Sequence, residues 1–257
     1  MFGILKEVFN FVLVFYVLSS IILYIFQRNL IYFPTAFIPH EFNTETFMIE
    51  DEKINVISLN KNKQNAILYF GGNAEAVIYN AAAFIQTFPE HTIYLVNYRG
   101  YGGSTGSPSE QALFNDAQFI YDELIKKHDS ISVIGRSLGS GIATYLASKR
   151  QIKKLILITP FDSIQKVAQG RFPIYPMRFL LKDKYNSISQ IKNIKAKTLM
   201  VLAQHDEIIP LKNSQTLINA FPKEQVLVRI ILDSGHNNLS DDQKYYLELS
   251  DFMLKDE

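Results

Sequence analysis

The chain has 257 residues, 47% of them hydrophobic and 20% charged, with a formal net charge of +1. That is enough chain for one large α/β domain or two small ones, and its near-neutral balance offers no basic surface for nucleic acid. It contains no cysteine, which excludes disulfides, thiolate nucleophiles and Cys-ligated metals.

Residues 8–26 read VFNFVLVFYVLSSIILYIF, without a charge, between Lys6–Glu7 and Gln27–Arg28. As an α-helix this run is about 28 Å long, close to the hydrocarbon thickness of a bilayer. The competing reading is a cleaved signal peptide. The run is longer than the roughly 7–15-residue apolar core of such peptides, and no small-x-small cleavage pattern follows it. Residues 1–28 are therefore expected to form a single transmembrane anchor. Residues 29–45 form an apolar, Pro-containing connector lying on the membrane or on the domain, and 46–257 one catalytic α/β domain. Lys6 and Arg28 sit at opposite ends of the run, so the positive-inside signal is weak. The favoured orientation has the short N-terminal tail inside and the domain extracytoplasmic.

The domain opens with two short strands, 46–50 and 54–59, joined by the polar turn Asp51–Glu52–Lys53, a hairpin pattern. Continuous apolar runs follow at 66–70, 92–96, 131–134, 155–159, 198–202 and 226–232, as expected of strands buried on both faces. Helical stretches lie between them at 74–88, 109–127, 138–149 and 211–220, with a longer excursion over 165–194. A last helix over 243–254 follows Ser240-x-x-Gln243, a capping-box pattern. Repeated strand–helix units predict a mostly parallel, doubly wound sheet carrying an N-terminal antiparallel hairpin. Ligands of such sheets bind at the carboxyl ends of the strands, so residues just after each strand are the ones to inspect.

After 131–134 comes Gly135–Arg136–Ser137–Leu138–Gly139, a G-x-S-x-G between a strand and a helix. The serine of such a turn sits on a strained corner with its Oγ projecting from the sheet, and the flanking glycines let neighbouring backbones approach. A serine hydroxyl is a weak nucleophile and needs a base, itself oriented by an acid. His236 follows the last strand. Of the other histidines, His40 lies in the connector, His91 and His128 at the wrong ends of strands, and His205 ahead of the expected acid. Asp206 and Asp162 both follow strands. Asp206 is favoured as the acid because its strand immediately precedes the histidine strand, in the order Ser, acid, His. Asp162 is left as a wall of the pocket or a helix cap, and Asp233 as a shaper of the histidine loop.

An oxyanion needs two backbone N–H groups. Leu138 supplies one, and Asn73, in the loop Gly71–Gly72–Asn73–Ala74 after strand 66–70, is the candidate for the other. The Gly-rich run from Arg99 to Gly106 fails as a phosphate loop, because Thr105 breaks G-x-G-x-x-G and no G-K-[ST] follows. It reads as a structural loop beside the site, pinned by Arg99.

At these residues the chain resembles the membrane-anchored α/β-hydrolases of the serine aminopeptidase-like branch, which includes the bud-emergence-type hydrolases and their depalmitoylase-like relatives. The matching pieces are QRNLIYFP, YFGGNAE, VNYRGYGGSTGSPSE, VIGRSLGSGIA, LAQHDEIIP and DSGHNNL. The resemblance implies the α/β-hydrolase fold, a Ser137–Asp206–His236 triad, and an oxyanion hole at Asn73 and Leu138. Two departures stand out: Gly71–Gly72 where the family usually has His-Gly, and Glu75 where Gly is common. Glu75 would disfavour anionic acyl groups or begin a helix at its positive end.

The expected function is cleavage of a carboxylic ester or thioester through an acyl-enzyme, without metal or organic cofactor. The apolar stretch FPIYPMRFLL (172–181) is a candidate acyl-pocket lining, and a membrane anchor would bring the site to lipid-like or acylated substrates. Two alternatives stay open. One is a peptidase, with Glu75 or Asp162 binding a substrate amine; Gly72, Glu75 and Asp162 are the possible pocket residues. The other is a catalytically silent, membrane-tethered binding module.

Overall fold

A computed structural model describes residues 2–255. The chain begins with a helix, α1 (Phe2–Ile31), most of whose apolar side chains are exposed. It continues past the expected end at residue 28, because nothing in Gln27–Ile31 opposes a helix. Pro34 then disfavours helical geometry at the residue before it. The connector packs on the domain: Tyr32 is buried, and Gly102 N–H donates to the carbonyl of Thr35.

Eight strands form one sheet: β1 (Asn43–Ile49), β2 (Glu52–Leu59), β3 (Asn65–Phe70), β4 (His91–Val96), β5 (Ser130–Arg136), β6 (Lys154–Ile158), β7 (Lys197–Ala203) and β8 (Val226–Ile231). Their order across the sheet is β1-β2-β4-β3-β5-β6-β7-β8. The β1–β2 and β2–β4 pairs are antiparallel and all others parallel. The hairpin turn is tighter than the sequence suggested. Glu50 and Asp51 alone form it, both with positive φ (51° and 66°), and Glu52 and Lys53 already pair in β2. Two residues of this hand match the twist of the flanking strands.

The helices are α2 (Ala81–Thr87), α3 (Glu110–Leu124), α4 (Leu138–Lys149), α5 (Ile164–Arg171), α6 (Met177–Leu180), α7 (Leu211–Ile218) and α8 (Gln243–Leu254). Three depart from expectation. The helix predicted over 74–88 begins as a 3₁₀ turn at Val77, and α2 proper starts at Ala81. The excursion over 165–194 breaks into α5, α6 and two 3₁₀ turns, with Pro173 and Pro176 interrupting it. The capping box at Ser240 does not form: residues 239–241 make a 3₁₀ turn, and Asp242 caps α8 by accepting from Lys244 N–H.

Apolar cores cover both faces of the sheet, one including α3 and α4 and the other α2 and α8. The topology fixes where a site can form. From β3 the chain moves to β4 on one side, then returns to β5 on the other, so β3 and β5 flank the switch point where the two connections diverge. Phe70 at the end of β3 pairs with Gly135 near the end of β5. The loops leaving these strands therefore open a crevice between them.

Candidate active site

Ser137 stands at the end of β5 with φ 50° and ψ −115°, a conformation a side chain rarely adopts. The packing around it enforces that turn. A Cβ on Gly135 would lie 2.3 Å from the carbonyl oxygen of Gly139, and one on Gly139 would lie 2.1 Å from that of Phe70. The elbow is held from below, where Ser137 N–H donates to Ile158 and Gly139 N–H to Gly71. Leu138 is the first residue of α4, so its N–H has no carbonyl four residues back within the helix.

The three residues singled out in sequence meet here. Ser137 Oγ lies 2.9 Å from His236 Nε2. His236 Nδ1 lies 2.9 and 3.0 Å from the two oxygens of Asp206. Both Ser137 and His236 are buried. Asp206 Oδ1 also accepts from the N–H groups of Ile208 (3.0 Å) and Ile209 (2.7 Å), which fixes the carboxylate facing the ring.

Asp162 is elsewhere. It is buried, and its carboxylate takes Ser163 N–H, Asn213 Nδ2 and Lys166 Nζ. The cap of α5 is Ser163, not Asp162. Asp233 does shape the histidine loop: its φ is 54° and its N–H donates to Gln204 Oε1.

The Glu75 carboxylate is engaged within its own loop, and no helix starts there. Its carboxylate folds back to accept from Gly72 N–H (2.7 Å), Tyr69 OH (2.6 Å) and Asn80 Nδ2 (2.6 Å), with Arg136 at 3.6 Å. Burial and the neighbouring Glu75 hold the Tyr69 phenol far above its ordinary range, so it serves as a donor. Glu75 thus braces the loop that carries Asn73. This brace also accounts for Gly71. A Cβ there would meet Val77 Cγ1 at 2.8 Å and the Glu75 carboxyl carbon at 3.2 Å, so a histidine does not fit without rearrangement. Gly72 lies beside the nucleophile, its Cβ position 3.9 Å from that of Ser137.

The Gly-rich run from Arg99 to Gly106 supports the same loop. Tyr98 OH donates to Gly71 and Tyr101 OH to Asn73, each at 2.7 Å. Arg99 forks onto Asp116 of α3 and reaches Glu50 in the hairpin turn, contacts that hold its guanidinium charged. Asn73 is tied from a third side as well, by Phe33 N–H on its carbonyl and by its own Nδ2 on the carbonyl of Ile31, both at 3.0 Å. Its backbone N–H takes no acceptor among the described residues.

Two residues escaped the sequence reading. Glu207 Oε2 accepts the backbone N–H of His236 at 3.0 Å. Arg136, the variable residue of G-x-S-x-G, donates to the carbonyl of His236 at 3.3 Å while facing Glu75. Both are adjacent to residues already singled out, but their partners lie far away in sequence and no local pattern announces the contact.

A cavity of about 480 Å³ opens on Ser137, Leu138 and Asn73. Its walls are Leu23, Gln27, Leu30 and Ile31 of α1, Phe33, and apolar residues of the α5–α6 excursion such as Val167, Phe172, Met177 and Leu180. Arg171 is the one charged residue among those lining it.

Comparison with known proteins accords with this architecture. A family profile described as alpha/beta hydrolase fold matches residues 65–181. Protein bem46 of Schizosaccharomyces pombe is 28% identical over 265 residues, covering 91% of this chain and 88% of that protein. The chain has the α/β-hydrolase fold and is similar to bem46. The chain is also 37% identical over 153 residues to an uncharacterized protein of Mycobacterium tuberculosis. That match covers 57% of the chain and about half (53%) of the relative's length. A membrane protein of Saccharomyces cerevisiae is 30% identical over 173 residues, covering 64% of the chain and 61% of the relative. Among solved structures, the Pyrococcus furiosus esterase Pf2001 superposes with a TM-score of 0.67 at 15% identity, covering 86% of the chain and 97% of that protein. At that identity the likeness is one of fold.

Proposed function

We propose that this hydrolase is a membrane-anchored serine hydrolase that cleaves carboxylic esters or thioesters through Ser137, His236 and Asp206. The observation that carries the reading is the 2.9 Å approach of Ser137 Oγ to His236 Nε2, with Asp206 on the far side of the ring. Ser137 Oγ attacks the acyl carbonyl while His236 Nε2 takes its proton. Asp206 holds the imidazole with Nδ1 protonated and stabilises the imidazolium. The N–H groups of Asn73 and Leu138 receive the oxyanion, aided by the N-terminus of α4. Collapse breaks the acyl–oxygen or acyl–sulfur bond, and the departing alcohol or thiol takes the proton from His236. Water then gives a proton to His236 as it attacks the acyl-enzyme. The acid leaves, and Oγ recovers its proton.

The apolar walls of the cavity favour an acyl chain over a peptide. The carboxylates that a peptidase reading needs, Glu75 and Asp162, are both engaged elsewhere. Anchoring rests on α1, whose length and hydropathy suffice to cross a bilayer and whose apolar window is unburied. The membrane protein among the relatives supports it. Labelling with a fluorophosphonate tests the chemistry: wild type should label and Ser137→Ala should not. A folded wild-type protein that resists the probe would leave the silent binding module as the surviving reading.

A further inference from the structure

The excursion 172–183 packs along α1, while Met177, Leu181 and Asp183 stay buried. The rings of Tyr16 and Tyr175 stack at 5.4 Å. Tyr16 OH donates to the carbonyl of Ile174 at 3.0 Å, and Tyr175 OH to Ser19 Oγ at 2.8 Å. Nearer the domain, Gln27 Nε2 donates to Leu180 and Arg28 pairs with Asp183. Tyr16 lies ten residues back from Phe26, the last residue of the uncharged run, which is roughly 15 Å of helix axis. If α1 crosses a bilayer over that run, Ile174 and Tyr175 sit inside the hydrocarbon with it.

The segment is built for such a place. Phe172, Ile174 and Phe179 expose 38%, 69% and 77% of their surface, and water has no use for such side chains. Irregular backbone at membrane depth must satisfy its polar groups internally. Here the carbonyls of Pro173 and Tyr175 accept from Gln169 Nε2, that of Phe172 from Tyr175 N–H, that of Ile174 from Tyr16, and that of Pro176 from the N–H groups of Phe179 and Leu180. Pro173 and Pro176 have no N–H to satisfy. Arg178 within the segment lies over the Phe179 ring and Lys182 just after it over that of Tyr24, each on a flexible stem that can carry its charge toward the interface. The cavity that leads to Ser137 lies between this segment and α1.

We infer that residues 172–180 lie in the bilayer beside α1, and that a long acyl chain bearing an ester or thioester passes sideways from the hydrocarbon to Ser137 between them. This rests on the serine-hydrolase and anchor readings above. The seating does not depend on the chemistry and the route does, so the two are tested apart.

The chain contains no tryptophan, so one introduced tryptophan reports alone. Full-length Ile174→Trp, Val12→Trp and Leu254→Trp are reconstituted in phosphatidylcholine vesicles with and without bromine on the acyl chains. Leu254 ends α8 at the opposite end of the sheet, where the start of β6 meets the last turn of that helix. Bromine should quench the residue-174 and residue-12 reporters about twofold or more, as hydrocarbon depth requires, and leave the residue-254 reporter unchanged. Quenching at residue 12 without quenching at 174 overturns the seating while the anchor stands, and quenching at neither overturns both. The route is tested with Ile174→Asp/Phe179→Asp, two positions outside the cavity lining. A long-chain ester held in vesicles should lose about tenfold in kcat/KM, or 1.4 kcal/mol, while a water-soluble acetate ester keeps its rate. No loss, or equal loss on both esters, overturns the route. Absence of fluorophosphonate labelling would instead remove the hydrolase reading and leave the quenching result intact.

Discussion

The side-chain amide of Asn73 donates to the carbonyl of Ile31 at 3.0 Å, so the last residue of the apolar helix holds the loop that faces Ser137. Replacing Asn73 with Ala leaves its backbone N–H in place but frees the loop from α1. A donor that wanders by a fraction of an ångström loses much of its worth in the transition state. We expect kcat on a soluble ester to fall about tenfold, near 1.4 kcal/mol, with KM little changed. Steady-state kinetics check this, and a change confined to KM would assign the side chain to substrate binding instead.

Asp206 does two things at once: it faces His236 and it receives the N–H groups of Ile208 and Ile209. Asp206→Asn keeps the shape and one accepting oxygen but no longer stabilises the imidazolium. The expected loss in kcat is about 10³–10⁴-fold, as for wrong-tautomer variants of other triads. Thermal unfolding should show a folded protein, and a loss of tenfold or less would move the acid role to another residue.

Glu207 sets a pH dependence. Its carboxyl is held below the usual carboxylate range, first by the N–H of His236 and then by its own backbone N–H. A depressed pKa contributes above the unfolded value and is lost as pH falls through the folded one. The grip on His236 should therefore be complete at neutral pH and fail only in acid, below the ordinary Glu range. Glu207→Ala should cost a few-fold in kcat at neutral pH, since one charge-assisted hydrogen bond is lost at an exposed carboxylate. The part of the acid-side decline due to this loop should vanish in the variant. A pH–kcat/KM profile unchanged by the substitution would remove Glu207 from the positioning of His236.

The departure at Gly71 is a matter of space. Introducing histidine there drives its Cβ to within 2.8 Å of Val77 Cγ1, a branched side chain in the core beneath the loop. Gly71→His should destabilise by about 1–3 kcal/mol, as overpacked sites do. Val77→Ala removes that methyl, so the double variant should recover part of the loss. A double-mutant cycle by urea unfolding measures the coupling, and additive effects would show that the two positions do not compete.

Much of this architecture was legible because β3, β4, β5 and β7 are buried on both faces and read as unbroken apolar runs. The elbow was legible for a local reason, since a glycine two residues either side of Ser137 is what its backbone needs. The meeting of Ser137, Asp206 and His236 followed from strand order. What stayed hidden depends on contacts across the fold. Glu75 read as a pocket charge or a helix start because its folding back onto Gly72, Tyr69 and Asn80 leaves no periodic trace. QRNLIYFP looked like the edge of an anchor. In the fold it is a clasp, with Gln27 and Arg28 gripping the excursion and Tyr32 bonded to Asp183 and Tyr185.

That clasp means the N-terminal helix is not an exchangeable module. Leu23, Gln27, Leu30 and Ile31 belong to the wall of the cavity as much as to the helix. A foreign apolar helix of equal length and hydropathy would leave that wall unbuilt. A domain cut free at residue 33 would likewise be an incomplete receptacle, open to water along one side. The helix proposed as the anchor and the wall of the cavity share the same few residues.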